Sequence, residues 1–196
     1  MGRPITFDRE KALETVMNEI WVRGYDACSV KFISEKLGIT RSSFYNAFGS
    51  RESLFLEVLD AYFRQSPDYK LSEIDGHGNL IRLICDVFRC ACKVRAADPE
   101  SRGCLAVNSI CGLVGTNQTL GPVLEDAFTS SINRFEQLLQ LAADSHEIPD
   151  KDIHAKALAL QNLLIGMNVL SMVVHSETEL WNSTRHTLMC LGLYEE

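Results

Sequence analysis

A chain of 196 residues, 46% hydrophobic and 23% charged, is long enough for a sizeable core, and its composition excludes wholesale disorder. Twelve glycines and five prolines, with no biased tract, exclude a collagenous or low-complexity region. The formal net charge of −7 argues against a generally basic nucleic-acid coat, but residues 1–51 carry eight Lys/Arg against six Asp/Glu.

Taken in chain order, almost everything reads as helix. From Asp8 to Arg23, Leu13, Val16, Met17, Ile20 and Trp21 form an amphipathic stripe, and Gly24 follows as a stop. Ser29 then caps a helix with Val30, Ile33 and Leu37 on one face, ended by Gly38. A very short third helix runs from Thr40 to about Ala47, with Gly49 as its stop. The fourth opens at Ser50, places Glu52 near its positive end, and continues through Leu54, Val58 and Tyr62 to stop before Pro67. Residues 66–78, with Pro67, Gly76 and Gly78, read as a domain junction. Longer helices are predicted over 79–97, 102–115, 119–145, 150–175 and 177–192. No alternating pattern persists long enough for a sheet, so the predicted class is all-α.

The chemistry is concentrated in Ser29 to Ser53, SVKFISEKLGITRSSFYNAFGSRES. Two short helices joined by a turn holding Gly38 have the spacing of a helix-turn-helix. Ile33, Leu37, Ile39, Phe44 and Phe48 fill its inner positions, which leaves Thr40, Arg41, Ser42 and Ser43 outward at the start of the second helix. Small hydroxyls and one arginine fit a major groove about 12 Å wide. The N-terminal residues of that helix are the ones that meet base edges in this motif.

The run Ile33-Ser34, Gly38-Ile39-Thr40, Phe44-Tyr45, Phe48 and Ser50-Arg51-Glu52 resembles the DNA-binding domain of TetR-type transcriptional regulators. The likeness covers residues 5–63. It implies an N-terminal three-helix helix-turn-helix domain over 1–65, followed by a larger helical effector-binding and dimerisation domain over 66–196. Ser34 departs from the usual Ala, and a hydroxyl at that helix contact is expected to find a hydrogen-bond partner. Arg51 replaces Lys with its charge kept, and Asn46 stands where His is common.

The resemblance also implies roles. Arg41, Ser42 and Ser43 would approach bases, with Arg41 able to make a bidentate guanine contact. Thr40, Tyr45, Asn46 and Arg51 would grip phosphates, and Ser29 and Lys31 would touch the backbone across the groove. Arg3 is either a minor-groove arm or a free terminus, and Tyr45 either a phosphate contact or a half-buried packing residue. The last two long helices, 150–175 and 177–192, would pair with their copies in a homodimer on a palindromic double-stranded operator. A small-molecule effector would occupy the body, and Phe88, Cys104, Asn108, Phe128, Phe135 and Met167 are candidate lining residues. Repression relieved by that effector is the expected function.

Seven cysteines, an odd number without an apolar leader, predict reduced thiols in a cytoplasmic protein. Cys104 near a helix start is the candidate for an alternative, thiol-based redox or electrophile response. Residues 157–174 lack formal charge, but Gln161, Asn162, Asn168 and Ser171 favour a buried or interfacial helix over a membrane span. No metal-ligand spacing, cofactor motif or catalytic constellation stands out, so an enzyme is not expected.

Overall fold

The computed structural model describes residues 8–194. Among them are ten α-helices and no strand: α1 (Arg9–Arg23), α2 (Val30–Leu37), α3 (Arg41–Phe48), α4 (Arg51–Gln65), α5 (Lys70–Glu73), α6 (Leu80–Ala96), α7 (Leu105–Leu113), α8 (Leu120–Asp144), α9 (Ile153–Leu170) and α10 (Glu177–Cys190).

Each of the first four helices starts on a side-chain oxygen that accepts an otherwise orphaned backbone N–H. Asp8 takes the N–H of Lys11, Ser29 that of Phe32, Thr40 that of Ser43 and Ser50 that of Ser53. Between α2 and α3 the chain reverses at Gly38, whose φ of 65° and ψ of 30° are left-handed. A side chain there would be strained, which explains why glycine ends this helix.

The stretch expected as a junction is not bare linker. Pro67–Tyr69 forms a 3-10 turn that runs into α5, with Pro67 and Leu71 buried. Arg134 of α8 fastens this strap by donating to the Leu71 carbonyl at 2.8 Å and to the Ile74 carbonyl.

Buried apolar residues fall into two groups. One joins Val16, Ile20, Ile33, Phe44 and Phe55 of the first four helices to Leu105 of α7 and Leu120 and Leu124 of α8. The other gathers Leu80, Phe88, Phe135, Leu138, Leu160 and Leu188 from α6, α8, α9 and α10. α7 is therefore part of the core beneath the N-terminal helices.

The loop between α6 and α7 carries the polar links between these regions. Arg102 donates to Asp98 from its Nε and an Nη at 3.1 Å each, and to Asn18 Oδ1 of α1 at 2.8 Å. Its guanidinium lies 4.3 Å above the Trp21 ring, whose Nε1 donates to the Arg102 carbonyl at 3.2 Å. Gly103 makes the close approach possible, because a Cβ there would sit 2.8 Å from the Asn168 carbonyl oxygen. Burial alone would push the Asp98 carboxyl up. The Arg102 side chain and the backbone N–H groups of Arg102 and Glu100 outweigh it and hold the group below its ordinary value.

Candidate nucleic-acid interface and internal cavity

α3 is held from beneath and bare on top. Phe44 and Phe48 are buried, 5.4 Å apart, against the first core. Arg9 of α1 clamps the far end of α3. It donates to the Ala47 carbonyl at 2.7 Å, pairs with Glu57 of α4 at 2.6 Å, and lies 5.0 Å over the Phe48 ring. Sequence reading missed Arg9, since its partners lie 38 and 48 residues away.

The other face of α3 presents Arg41, Ser42, Ser43, Tyr45 and Asn46 to solvent. Thr40 Oγ1 lies 2.9 Å from the hydroxyls of both Ser42 and Ser43, so the three form one small polar cluster at the helix start. Arg41 has no partner among the described residues, which leaves its whole guanidinium fork available. Tyr45 is 52% exposed, its ring resting edge-on against Phe44 with the hydroxyl outward. The packing and outward readings of Tyr45 therefore both describe part of this residue.

The flanking candidates differ among themselves. Ser29 is exposed but its hydroxyl caps α2, and Lys31 is exposed with only a loose 3.9 Å approach to Glu35. Arg51 is half-buried, stacked 4.0 Å from the Tyr25 ring and 3.9 Å from Asp26. It braces the α1–α2 link against α4 as well as facing outward. Arg3 lies outside the described residues. The expected partner for Ser34 is missing: its hydroxyl, on a residue 3% exposed, has no hydrogen bond among the described residues. α2 packs Ser34 toward α1 and α3, where an alanine methyl would leave no polar atom unpaired.

Beneath the strap lies a two-chambered cavity. The outer chamber, about 270 Å³, runs between the 3-10 turn, α5 and α8. The inner one, about 40 Å³, continues inward between α7, α8 and α9, and the two share Phe63, Asp68, Ala127 and Ser131. Of the effector candidates, Cys104 and Phe128 line the inner chamber. Asn108 instead faces an open cleft of about 960 Å³ between α1 and α7, and donates to the Arg102 carbonyl at 2.8 Å. Phe88 and Phe135 stack on each other at 6.0 Å in the second core, and Met167 is buried there as well. Those three line neither chamber of the cavity.

Behind the inner chamber sits a buried cation that sequence reading did not single out. Arg95 is 5% exposed and donates to Asn168 Oδ1 at 2.6 Å and to the Tyr62 hydroxyl at 2.7 Å. Burial pushes the Cys104 thiol up, while Arg95, the Tyr62 hydroxyl and the Val107 N–H pull the other way without prevailing. Burial likewise raises the Tyr62 hydroxyl far above its usual value. Both groups are therefore neutral at physiological pH. Among the described residues no cluster of three metal-ligating side chains occurs, and no helix is long and apolar enough to cross a membrane.

An anchored helix whose N-terminal hydroxyls and single free guanidinium face solvent, presented by a capped helix-turn-helix, defines a DNA-binding regulator. Residues 12–58 match the sequence family of bacterial regulatory proteins, tetR family. The transcriptional repressor ComR of Escherichia coli (strain K12) is 25% identical over 170 residues, spanning 86% of this chain and 81% of that protein. The repressor BdcR of the same organism is 41% identical over 61 residues, 31% of each chain. The structure of a cysteine mutant of the TetR-family regulator CifR, complexed with 26 bp double-strand operator DNA, superposes with a TM-score of 0.84 at 27% identity. It covers 95% of this chain and 98% of that one. These likenesses support a transcriptional regulator of the TetR family.

Proposed function

We propose that the protein is a homodimeric repressor that binds a palindromic operator through α3 and leaves it when a small molecule fills the cavity beneath the strap. In this reading residues 1–65 are the reading head and 66–196 the effector-binding and dimerisation body. Arg41, Ser42 and Ser43 approach the bases. Thr40, Tyr45, Asn46, Arg51, Ser29 and Lys31 hold phosphates, and Arg3 reaches toward the minor groove. The observation that carries the proposal is the exposed start of α3, where a free arginine fork stands beside three hydroxyls on a helix fixed from below.

Dimerisation through α9 and α10 draws support from their outer faces. Leu158, Val169, Leu170 and Val173 of α9 and its exit are 43%, 49%, 37% and 73% exposed, and Met189 of α10 is 55% exposed. Several exposed apolar side chains along α9 and its exit, with Met189 on α10, are what a surface covered by a partner carries. The relatives ComR and BdcR are named as repressors, which favours that sign of regulation.

Release follows from the position of the cavity. Cys104 and Asn168 in its wall adjoin the loop whose Arg102 grips Asn18 and Trp21 of α1. A ligand that fits better when this loop shifts would favour a state with the two heads wrongly spaced. Turning a 99:1 preference around takes a differential affinity of about 10⁴.

Selection of binding sites from a random duplex library tests the proposal. The expected product is a site with two inverted halves about one helical turn apart. A single, asymmetric site would contradict the homodimer on a palindrome. The thiol alternative through Cys104 retains one favourable observation, that its sulfur lines the inner chamber. It ranks second because the buried thiol is held protonated and the thiolate is the reactive form.

A further inference from the structure

The inner chamber holds a buried amide whose N–H pair the fold leaves unused. Gln161 of α9 is only 5% exposed, and its Oε1 accepts from Ser131 Oγ at 2.7 Å. Its amide nitrogen meets no acceptor from the described residues. That nitrogen is not sealed in carbon either: it keeps accessible surface, and Gln161 lines the chamber. The neighbouring amide is fully engaged: Asn168 accepts from Arg95 and donates to the Leu164 carbonyl at 2.7 Å. A nearly buried N–H pair facing an apolar space is the orienting contact from which small-molecule sites are built.

The surroundings select the ligand. Val107, Phe128, Leu164 and Ile165 make the chamber wall apolar. Asp68 stands in the wall shared with the outer chamber, and among the described residues it is paired with the Ser66 hydroxyl and with no cation. An anionic head would meet this carboxylate without a facing positive charge. Arg95 lies behind Asn168 and Tyr62, and Arg134 at the outer rim is committed to backbone carbonyls. A cationic head would bring no acceptor to Gln161.

We propose that this chamber takes a small, uncharged, largely apolar molecule whose carbonyl or ether oxygen accepts a hydrogen bond from the Gln161 amide. The assignment rests on the effector reading above and names the chemistry of that effector. The apolar body of the molecule extends into the outer chamber beneath Tyr69 and Leu71.

Three probes matched in size but differing in head group test it: 2-heptanone, hexanoate and heptylammonium. Each is titrated into the full-length protein and into Gln161→Leu. Binding is followed by thermal shift and by the side-chain NH₂ resonances of Gln161, assigned by their loss in the variant. The ketone is expected to raise Tm and move those resonances, the two charged probes to do neither, and Gln161→Leu to bind the ketone at least tenfold more weakly. Tighter binding of either charged probe, no binding of the ketone, or equal ketone binding by the variant would overturn the assignment. Should Gln161→Leu fail to fold, the order of the three probes in raising the Tm of the wild-type protein decides alone. Operator affinity measured on the same samples separates the two readings. A ketone that binds at Gln161 without loosening the operator leaves the chamber assigned and removes the effector reading. Release of operator by a charged probe, with the ketone silent, does the reverse.

Discussion

Replacing Ser34 with alanine removes a hydroxyl that sits 3% exposed on α2 with no partner among the described residues. Leaving a neutral polar group buried and unpaired costs about 1–3 kcal/mol. Alanine also gains roughly 0.5 kcal/mol of helix propensity over serine. Against these stands the packing of a single oxygen atom, a few contacts of about 0.1–0.2 kcal/mol each. The net expectation is a stabilisation of about 1–2 kcal/mol. For a chain of this length each kcal/mol moves Tm by about 2–4 °C, so a rise of roughly 2–8 °C is predicted. Circular dichroism melting at one fixed protein concentration measures it, because association shifts apparent stability. Operator affinity is expected to stay within about twofold, since the hydroxyl points away from the exposed face. An unchanged or lowered Tm would refute the reasoning and mean that the hydroxyl is satisfied in solution.

Three further predictions follow from other parts of the molecule. Asp98 has its folded pKa held below the unfolded value, so its contribution to stability is full above the ordinary carboxylate range and is lost as pH falls through the folded value. Asp98→Asn should therefore flatten the acid side of the stability–pH curve, and an unaltered curve would show that the Arg102 contact contributes nothing. Val173→Asp places a charge on the most exposed apolar side chain of the α9 strip and is expected to give monomers in sedimentation equilibrium; persistent dimers would move the interface elsewhere. Under mild alkylation at neutral pH, peptide mapping should find exposed Cys111 labelled well before Cys104, whose thiol is buried and protonated. Equal rates would revive the thiol-sensing alternative.

The helix starts were legible because a hydroxyl at a fixed offset before an apolar stripe has a local cause, the capping bond, as at Ser29, Thr40 and Ser50. The reading face of α3 was legible for the same reason: Phe44 and Phe48 fix one side, and their neighbours can only point outward. The strap was not. Pro67 and the later glycines carry the same signal whether the chain wanders or forms a 3-10 turn and a single helical turn, and only Pro67 and Leu71 meeting the core decide between them. Phe88 and Phe135 show the parallel difficulty in the body, where an aromatic on a helical stripe suits a cavity wall and a stacked core pair equally. Arg95, Arg102 and Gln161 depend on partners 73, 84 and 30 residues distant, which no local pattern announces. Gln161 was noticed, but only as a polar residue within an uncharged run.

The central claim is that the start of α3 reads sequence, and Arg41 is the residue on which it turns. Fluorescence anisotropy of the wild-type protein and Arg41→Ala, each titrated against the selected operator and a random duplex at one fixed salt concentration, tests it most directly. The account predicts that the variant loses about 1–3 kcal/mol on the operator and much less on the random duplex, so that specificity collapses while general affinity survives. Operator binding as tight as the wild type, or an equal loss on both duplexes, would contradict it.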